Sequence, residues 1–352
     1  YTYYTGKSKG FHCMPRGRVM KNFLIERPRF GTMKHFFNDN IALITVRQVA
    51  EGIFNHCFIS KHITDFRTTL SNKGGAYIYP LYRYIEKGLL SNSEHAKRKF
   101  KEIEKEFLQL QREYRKLLDA KRKKYNKLEE LAQEEYNALI EEKEAILENK
   151  RTELQKAKAE IIESKYDKIE NISRNFRDFI DDKYNKKYSP EQILAYIYGI
   201  MYSPLYREKY KDFLKIDYPK IPFCESTEDF EKIAELGQKL IDAHVMKTIP
   251  DYDIAETYDG EVGRDKVEKV TFQEVENGGR VYINKTNYFE PIPEEIFEFH
   301  IGGYKVIDKY LKERKGRNLQ IEEIHQVKNI AKILAFTVEK MEELNNITSK
   351  IV

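Results

Sequence analysis

The chain has 352 residues, 41% hydrophobic and 34% charged, which is length enough to bury the core of one large domain or two ordinary ones. No stretch approaches the ~18 apolar residues of a membrane span. The N-terminal YTYYTGKSKG has no start Met and no apolar signal core, so it reads as a boundary inside a longer, cytoplasmic protein rather than an export signal. The net charge of +5 hides a gradient: 14 Lys/Arg against 5 Asp/Glu over 1–92, 20 against 19 over 93–170, and 28 against 33 over 171–352.

Residues 1–92 carry strand and turn signals. NDNIALITVRQVA, HCFISKHITD and SNKGGAYIYPLYRY each hold a short β-branched or aromatic run bounded by Asn, Asp, Gly or Ser. AYIYPLYRY reads as a strand running into a Pro-stopped edge.

Residues 93–170 change character. No Gly occurs between Leu89 and Tyr198 and no Pro between Leu81 and Ser189. Phe100, Ile103, Phe107, Leu110, Tyr114 and Leu117 keep a 3-4-3-4-3 spacing, and after one slip Leu118, Tyr125, Ala132, Leu139 and Ile146 recur every seven residues. That period predicts a coiled coil. Its charges are blocked, 13 basic and 5 acidic residues over 97–127 and then 1 basic and 8 acidic over 128–148. Opposite charges on facing arms favour an antiparallel hairpin within one chain. If its ends near Ser93 and Asn171 lie close together the tip falls near Ala132, and the charge switch at Lys127 and Leu128 lies about a helical turn away.

Beyond Asn171 the pattern is globular. SPEQILAYIYGIMYSP has a Ser-Pro-Glu helix start, and STEDFEKIAELGQKLIDAHVM is a second amphipathic helix opened by Ser or Thr. KVEKVTFQEV-ENGG-RVYINKTNYF predicts a small β element with a Gly-containing hairpin loop. Two closing helices are expected over Gly303–Arg314 and from Ile321 to about Asn346. The fold class is therefore α+β, mixed helix and small sheet, with a long antiparallel coiled-coil insertion. The expected domains are 1–92 with 171–352, and 93–170.

The chemistry of a self-sufficient enzyme is missing. There is no Gly-rich phosphate loop, G-x-S-x-G, H-E-x-x-H or zinc-deaminase pattern. Cys13, Cys57 and Cys224 are isolated and read as reduced packing residues, and His56 and His62, the closest histidine pair, make no metal signature. Asp181–Asp182 reads as solvated surface. Tyr196, Tyr198, Tyr202, Tyr206 and Tyr210 fall at helical spacing beside Ile193, Ile197, Ile200 and Met201, which suits a core stripe better than the competing base-stacking platform.

Four blocks, in order, resemble the C-terminal region of type ISP and related type IIG restriction-modification enzymes of the adenine-specific DNA methyltransferase family. They are MPRGRVMKNF with NIALITVRQ; AYIYPLYRY; ILAYIYGIMYSPLYREKYKDFLKIDYPKIPF with its YRxxY turn; and RVYINKTNYFEPIPEEIFEFHIGGYKVIDKYLKERKGR. The insertion at 93–170 departs from the family pattern; the family's Asn-Pro-Pro-Tyr, cofactor-binding, nuclease and helicase motifs do not occur here.

The resemblance implies a target-recognition domain, not itself an enzyme. It would bind double-stranded DNA and position an adenine for N6-methylation by a methyltransferase domain of the same parent chain, where S-adenosylmethionine would bind. No catalytic, cofactor or metal residue is expected here, and the chain should be a monomer. Phosphate contacts are expected from the basic segment at Arg16, Arg18, Lys21, Arg27 and Arg29, because cations clustered in one part of a chain mark where phosphates dock. Base readout is expected around Lys61, His62, Thr64, Arg67, Asn72 and Lys73, where strand-flanked loops offer donors and acceptors; Thr64 and Asn72 could equally build turns. The alternative is a coiled-coil interaction scaffold with a globular head.

Overall fold

The computed structural model describes residues 30–49, 52–65, 68–69, 75–87, 93–124, 130–261, 263–276 and 278–351. The described part is α+β, with long helices and small antiparallel sheets. It divides into two units: the residues up to Tyr82 together with Glu170–Val352, and Arg83–Ile169.

In the first unit, β1 (Ala42–Thr45) lies between β2 (Cys57–Ser60) and β3 (Tyr77–Pro80), antiparallel to both, with Ile44 opposite Phe58 and Ile78. The Pro-stopped strand is thus an edge strand. That position tolerates Pro80, because a proline has no N–H to give to a further neighbour. Beyond it, Asn40 grips Tyr82 from both sides, its Nδ2 donating to the Tyr82 carbonyl (2.8 Å) and its Oδ1 accepting from the Tyr82 N–H (3.1 Å).

The second unit has two elements at its base, β4 (Tyr82–Glu86) and β5 (Tyr166–Glu170), which pair in a two-stranded sheet. Between them run α1 (Ser93–Lys124) and α2 (Glu130–Lys165). Ion pairs join Lys99 to Glu160, Glu106 to Lys150 and Glu113 to Lys143. Partners descend one helix as they climb the other, so the two helices are antiparallel.

On α1 the predicted stripe faces inward at Ile103, Phe107 and Leu110. On α2 the predicted series is out of phase. Leu139 and Ile146 are 38% and 37% exposed, while Ile140, Leu147, Leu154, Ala157 and Ile161 form the inward 3-4 stripe. The seven-residue count ran from one expected arm of the hairpin into the other, and the two helices need not share one phase. Ala132, expected at the tip, is already inside α2; Lys127 and Leu128, where the charge pattern changes, lie outside the described residues.

The first unit continues with α3 (Arg174–Tyr184), α4 (Pro190–Tyr202), α5 (Pro204–Lys209), α6 (Lys211–Ile216) and α7 (Thr227–His244). The Ser-Pro-Glu start of α4 is a full capping box. Ser189 Oγ accepts the Gln192 N–H, and Gln192 Oε1 accepts the Ser189 N–H. Ser203 caps α5, and Ser226 caps α7.

Helices α4 and α7 cross through glycines. A Cβ on Gly199 would meet the Ile233 carbonyl oxygen at 2.9 Å, so the backbones touch where a side chain would hold them apart. The tyrosine stripe is core. Tyr196, Tyr198, Tyr202 and Tyr206 are fully or almost fully buried, and the Tyr196 ring lies between those of Phe230 (4.4 Å) and Phe223 (5.1 Å). Each hydroxyl finds an acceptor, such as the Pro222 carbonyl for Tyr196 and the Cys57 carbonyl for Tyr202, as buried phenols require.

The C-terminal part builds a second core. A sheet ordered β6 (Thr257–Asp259), β9 (Tyr288–Glu290), β8 (Gly278–Tyr282), β7 (Thr271–Val275) lays Val281 and Phe289 against the long last helix. The predicted hairpin is β7–β8, closed by a two-residue loop, since Val275 pairs with Gly278. The helix expected over Gly303–Arg314 is shorter, α8 (Val306–Lys312). Tyr304–Lys305 instead pair with His300–Ile301 around Gly302, whose φ of +61° suits glycine and whose Cβ would lie 2.8 Å from the Thr69 carbonyl oxygen. Helix α9 (Ile321–Thr348) serves both cores, giving Leu344 to the first and Val327, Ala331 and Leu334 to the second.

Candidate nucleic-acid interface

The loop leaving β2 holds the described part of the expected reading set. Ser60 Oγ accepts the His62 N–H (3.0 Å), and both Ser60 Oγ and Thr64 Oγ1 donate to the His62 carbonyl (3.0 and 3.1 Å). These bonds fix the loop and turn Lys61 and His62 outward, where both are exposed and have no side-chain partner among the described residues. Thr64 behaves differently. It is 5% exposed and its hydroxyl is committed to the loop, so Thr64 is corrected from a base reader to part of the frame. Arg67, Asn72 and Lys73 lie outside the described residues, as do Arg16, Arg18, Lys21, Arg27 and Arg29.

The edge of the same sheet supplies residues that periodicity did not single out. Tyr77 and Tyr79 on β3 are 40% and 42% exposed, and the Tyr77 ring meets Tyr218 edge-on at 5.1 Å. Arg47 lies over the Tyr218 ring at 5.8 Å and pairs with Asp217 at 3.2 Å. The signal available in sequence was the repeated YxY of AYIYPLYRY, in which alternate tyrosines share one face of a strand.

The comparisons with known proteins bear on this frame. The profile of the Type ISP C-terminal specificity domain matches residues 15–343. The chain belongs to that family. Among solved structures, the specificity domain is similar to the ATP-dependent Type ISP restriction-modification enzyme LlaBIII bound to DNA, with TM-score 0.52 and 14% identity over 88% of this chain and 16% of that one. It is also similar to the DrdV–DNA complex, with TM-score 0.50 and 13% identity over 87% of this chain and 24% of that one. At such identity the likeness is one of fold, and the chain spans less than a quarter of either protein's length. A search of curated proteins gives no match.

The specificity domain also holds two buried histidines. His244 bridges α4 and α9, Nδ1 facing the Tyr198 hydroxyl at 2.7 Å and Nε2 facing Thr337 Oγ1 at 2.8 Å. Burial, and then the positive charge of Arg207, hold His244 down at about 3 and His56 at about 4. Both rings are therefore neutral at pH 7, and neither is poised to exchange a proton there.

Arg207 itself is buried, its Nε donating to the Met201 carbonyl at the end of α4 and its guanidinium 4.8 Å from the Tyr202 ring centroid. A cation at the carbonyl end of a helix is favourably placed. Among the described residues no three His, Cys, Asp or Glu side chains converge on a metal-sized site, and no helix is long and apolar enough to cross a membrane.

Proposed function

We propose that this specificity domain binds duplex DNA and reads its sequence for a restriction-modification enzyme. A methyltransferase domain of the same parent chain would carry S-adenosylmethionine and methylate adenine N6. The family match over residues 15–343 carries this reading. Lys61 and His62, exposed and unpaired among the described residues on a loop pinned to a sheet, support it, because base readers need a rigid mount. The basic segment holding Arg16, Arg18, Lys21, Arg27 and Arg29 supplies the phosphate contacts that set register.

Duplex binding followed across a salt series tests the reading. Affinity should fall steeply with salt as phosphate contacts release counterions; no binding at low salt overturns it. In the same reading the α1–α2 pair is an antiparallel coiled coil within a monomer.

One observation favours a second role for that pair, as an interaction arm: Leu108, Leu139 and Ile146 are 45%, 38% and 37% exposed on its outer side. Sizing across a concentration range separates the two, since an arm that pairs two copies gives a dimer that needs residues 93–170.

A further inference from the structure

The sheet β6-β9-β8-β7 buries one face against α9 and leaves the other to solvent. On that outer face, β7 is the edge strand and β8 its neighbour, itself paired with β9 on its other side; Thr271 stands opposite Tyr282 and Gln273 opposite Arg280. The N–H groups of Glu268 and Lys269 both donate to the Ile283 carbonyl, at 2.8 and 3.2 Å. Asn284 Nδ2 ties the following turn to the Arg264 and Lys266 carbonyls. These bonds bring Lys269 and Lys285 to the same end of the β7–β8 pair.

The result is an open basin of about 460 Å³ lined by Glu268, Lys269, Thr271, Gln273, Tyr282 and Lys285. Both lysines and Gln273 are exposed, and neither lysine has a carboxylate within ion-pair distance among the described residues. Some lysines of this unit, among them Lys232, Lys239 and Lys309, are instead paired along their own helices. The side chains of Thr271 and Gln273 are likewise without a hydrogen-bond partner among the described residues.

We propose that the outer face of the β7–β8 pair is a second duplex-DNA contact surface, with Lys269 and Lys285 on phosphates and Gln273 reading a base edge. The inference rests on the DNA-binding reading above and adds a site in the half of the chain whose net charge is acidic. Strands of a sheet can present side chains to a groove, and the major groove is about 12 Å wide. Thr271 and Gln273, two residues apart on one face, are separated by roughly 7 Å, which spans two base steps of about 3.4 Å. The amide of Gln273 can both donate and accept, which suits the adenine edge, and Glu268 can accept from cytosine. The two cations, unpaired among the described residues, supply the charge complementarity that a phosphate backbone requires.

The test is amine acylation of the full chain, with and without excess mixed-sequence duplex at low salt, read by peptide mass spectrometry. Lys269 and Lys285 should lose labelling severalfold when DNA is bound, while Lys239 should not change. In parallel, Gln273→Ala should lower the preference for duplex selected from a random pool roughly 5- to 150-fold, with random duplex bound as before. Duplex binding with Lys269 and Lys285 labelled as in the free chain overturns this surface and leaves the DNA-binding reading standing. Failure of the chain to bind any duplex removes both.

Discussion

Gly237 on α7 packs directly on Ala195 of α4: a Cβ added to Gly237 would lie 1.9 Å from the Ala195 carbonyl oxygen. The obstacle is backbone, not the end of a flexible side chain, so only separation of the two helices can relieve it. Gly237→Ala should therefore destabilise the specificity domain by about 3 kcal/mol or more, at the upper end of overpacking costs. Denaturant unfolding measures this, and a loss under about 1 kcal/mol would mean that the two helices part readily at this crossing.

Acid should weaken the fold before the carboxylates respond. His56 and His244 stay neutral in the folded chain down to about 4 and about 3, whereas in the unfolded chain they take a proton near the ordinary value of 6.5. The stability tied to their neutral form is complete above pH 6.5 and is lost as pH falls below it, by about 1.4 kcal/mol per pH unit for each ring. Glu323, held at about 2 by Arg317, adds a loss only below its ordinary value of 4.5. Unfolding measured between pH 6.5 and 5 isolates the histidines. His244→Gln, which keeps a hydrogen-bonding side chain, should flatten that slope, and an unchanged slope would assign it elsewhere.

Removing the helical pair should leave the first unit folded. The Asn171 N–H donates to the Leu81 carbonyl at 2.8 Å, and Asn171 Nδ2 donates to the Pro80 carbonyl at 2.9 Å. The chain thus leaves and re-enters this unit at one point. Replacing Arg83–Ile169 with a short Gly-Ser loop should give a monomer with an intact unfolding transition, because closing a short loop costs little entropy. An insoluble product would mean that the pair covers apolar surface the first unit needs covered.

The two expected DNA-contact sets should fail in different ways. Arg16→Ala or Arg18→Ala should weaken all duplexes alike and reduce the salt slope by about 1 each. Arg67→Ala should cost roughly 1–3 kcal/mol on the preferred sequence and little on random DNA. Lys61→Ala, on the described loop, distinguishes the roles there: a uniform loss marks a phosphate contact, and a selective one marks a reader. Equal losses on preferred and random duplex for Arg67→Ala would remove it from the reading set.

Sequence alone determined what depends on local chemistry and period. Ser189-Pro190-Glu191 fixes the start of α4 because a cap and a proline act within one turn. The 3-4 spacing from Phe100 to Leu117 sets the less exposed stripe of α1, in which Ile103 is buried, and the run of tyrosines beside Ile193 and Ile200 marks a core helix.

Tertiary structure decided whatever depends on where distant segments meet. The phase of α2 depends on which face it turns to α1, which left Ile140 inward and Leu139 outward. Gly237 is an ordinary helix residue until Ala195 lies against it. Thr64 has the chemistry of a base reader until the loop buries it. Lys269 and Lys285, sixteen residues apart in sequence, share one basin only because the Ile283 carbonyl draws Glu268 and Lys269 to it. No local pattern encodes that approach, since it comes from a backbone hydrogen bond open to any residue pair.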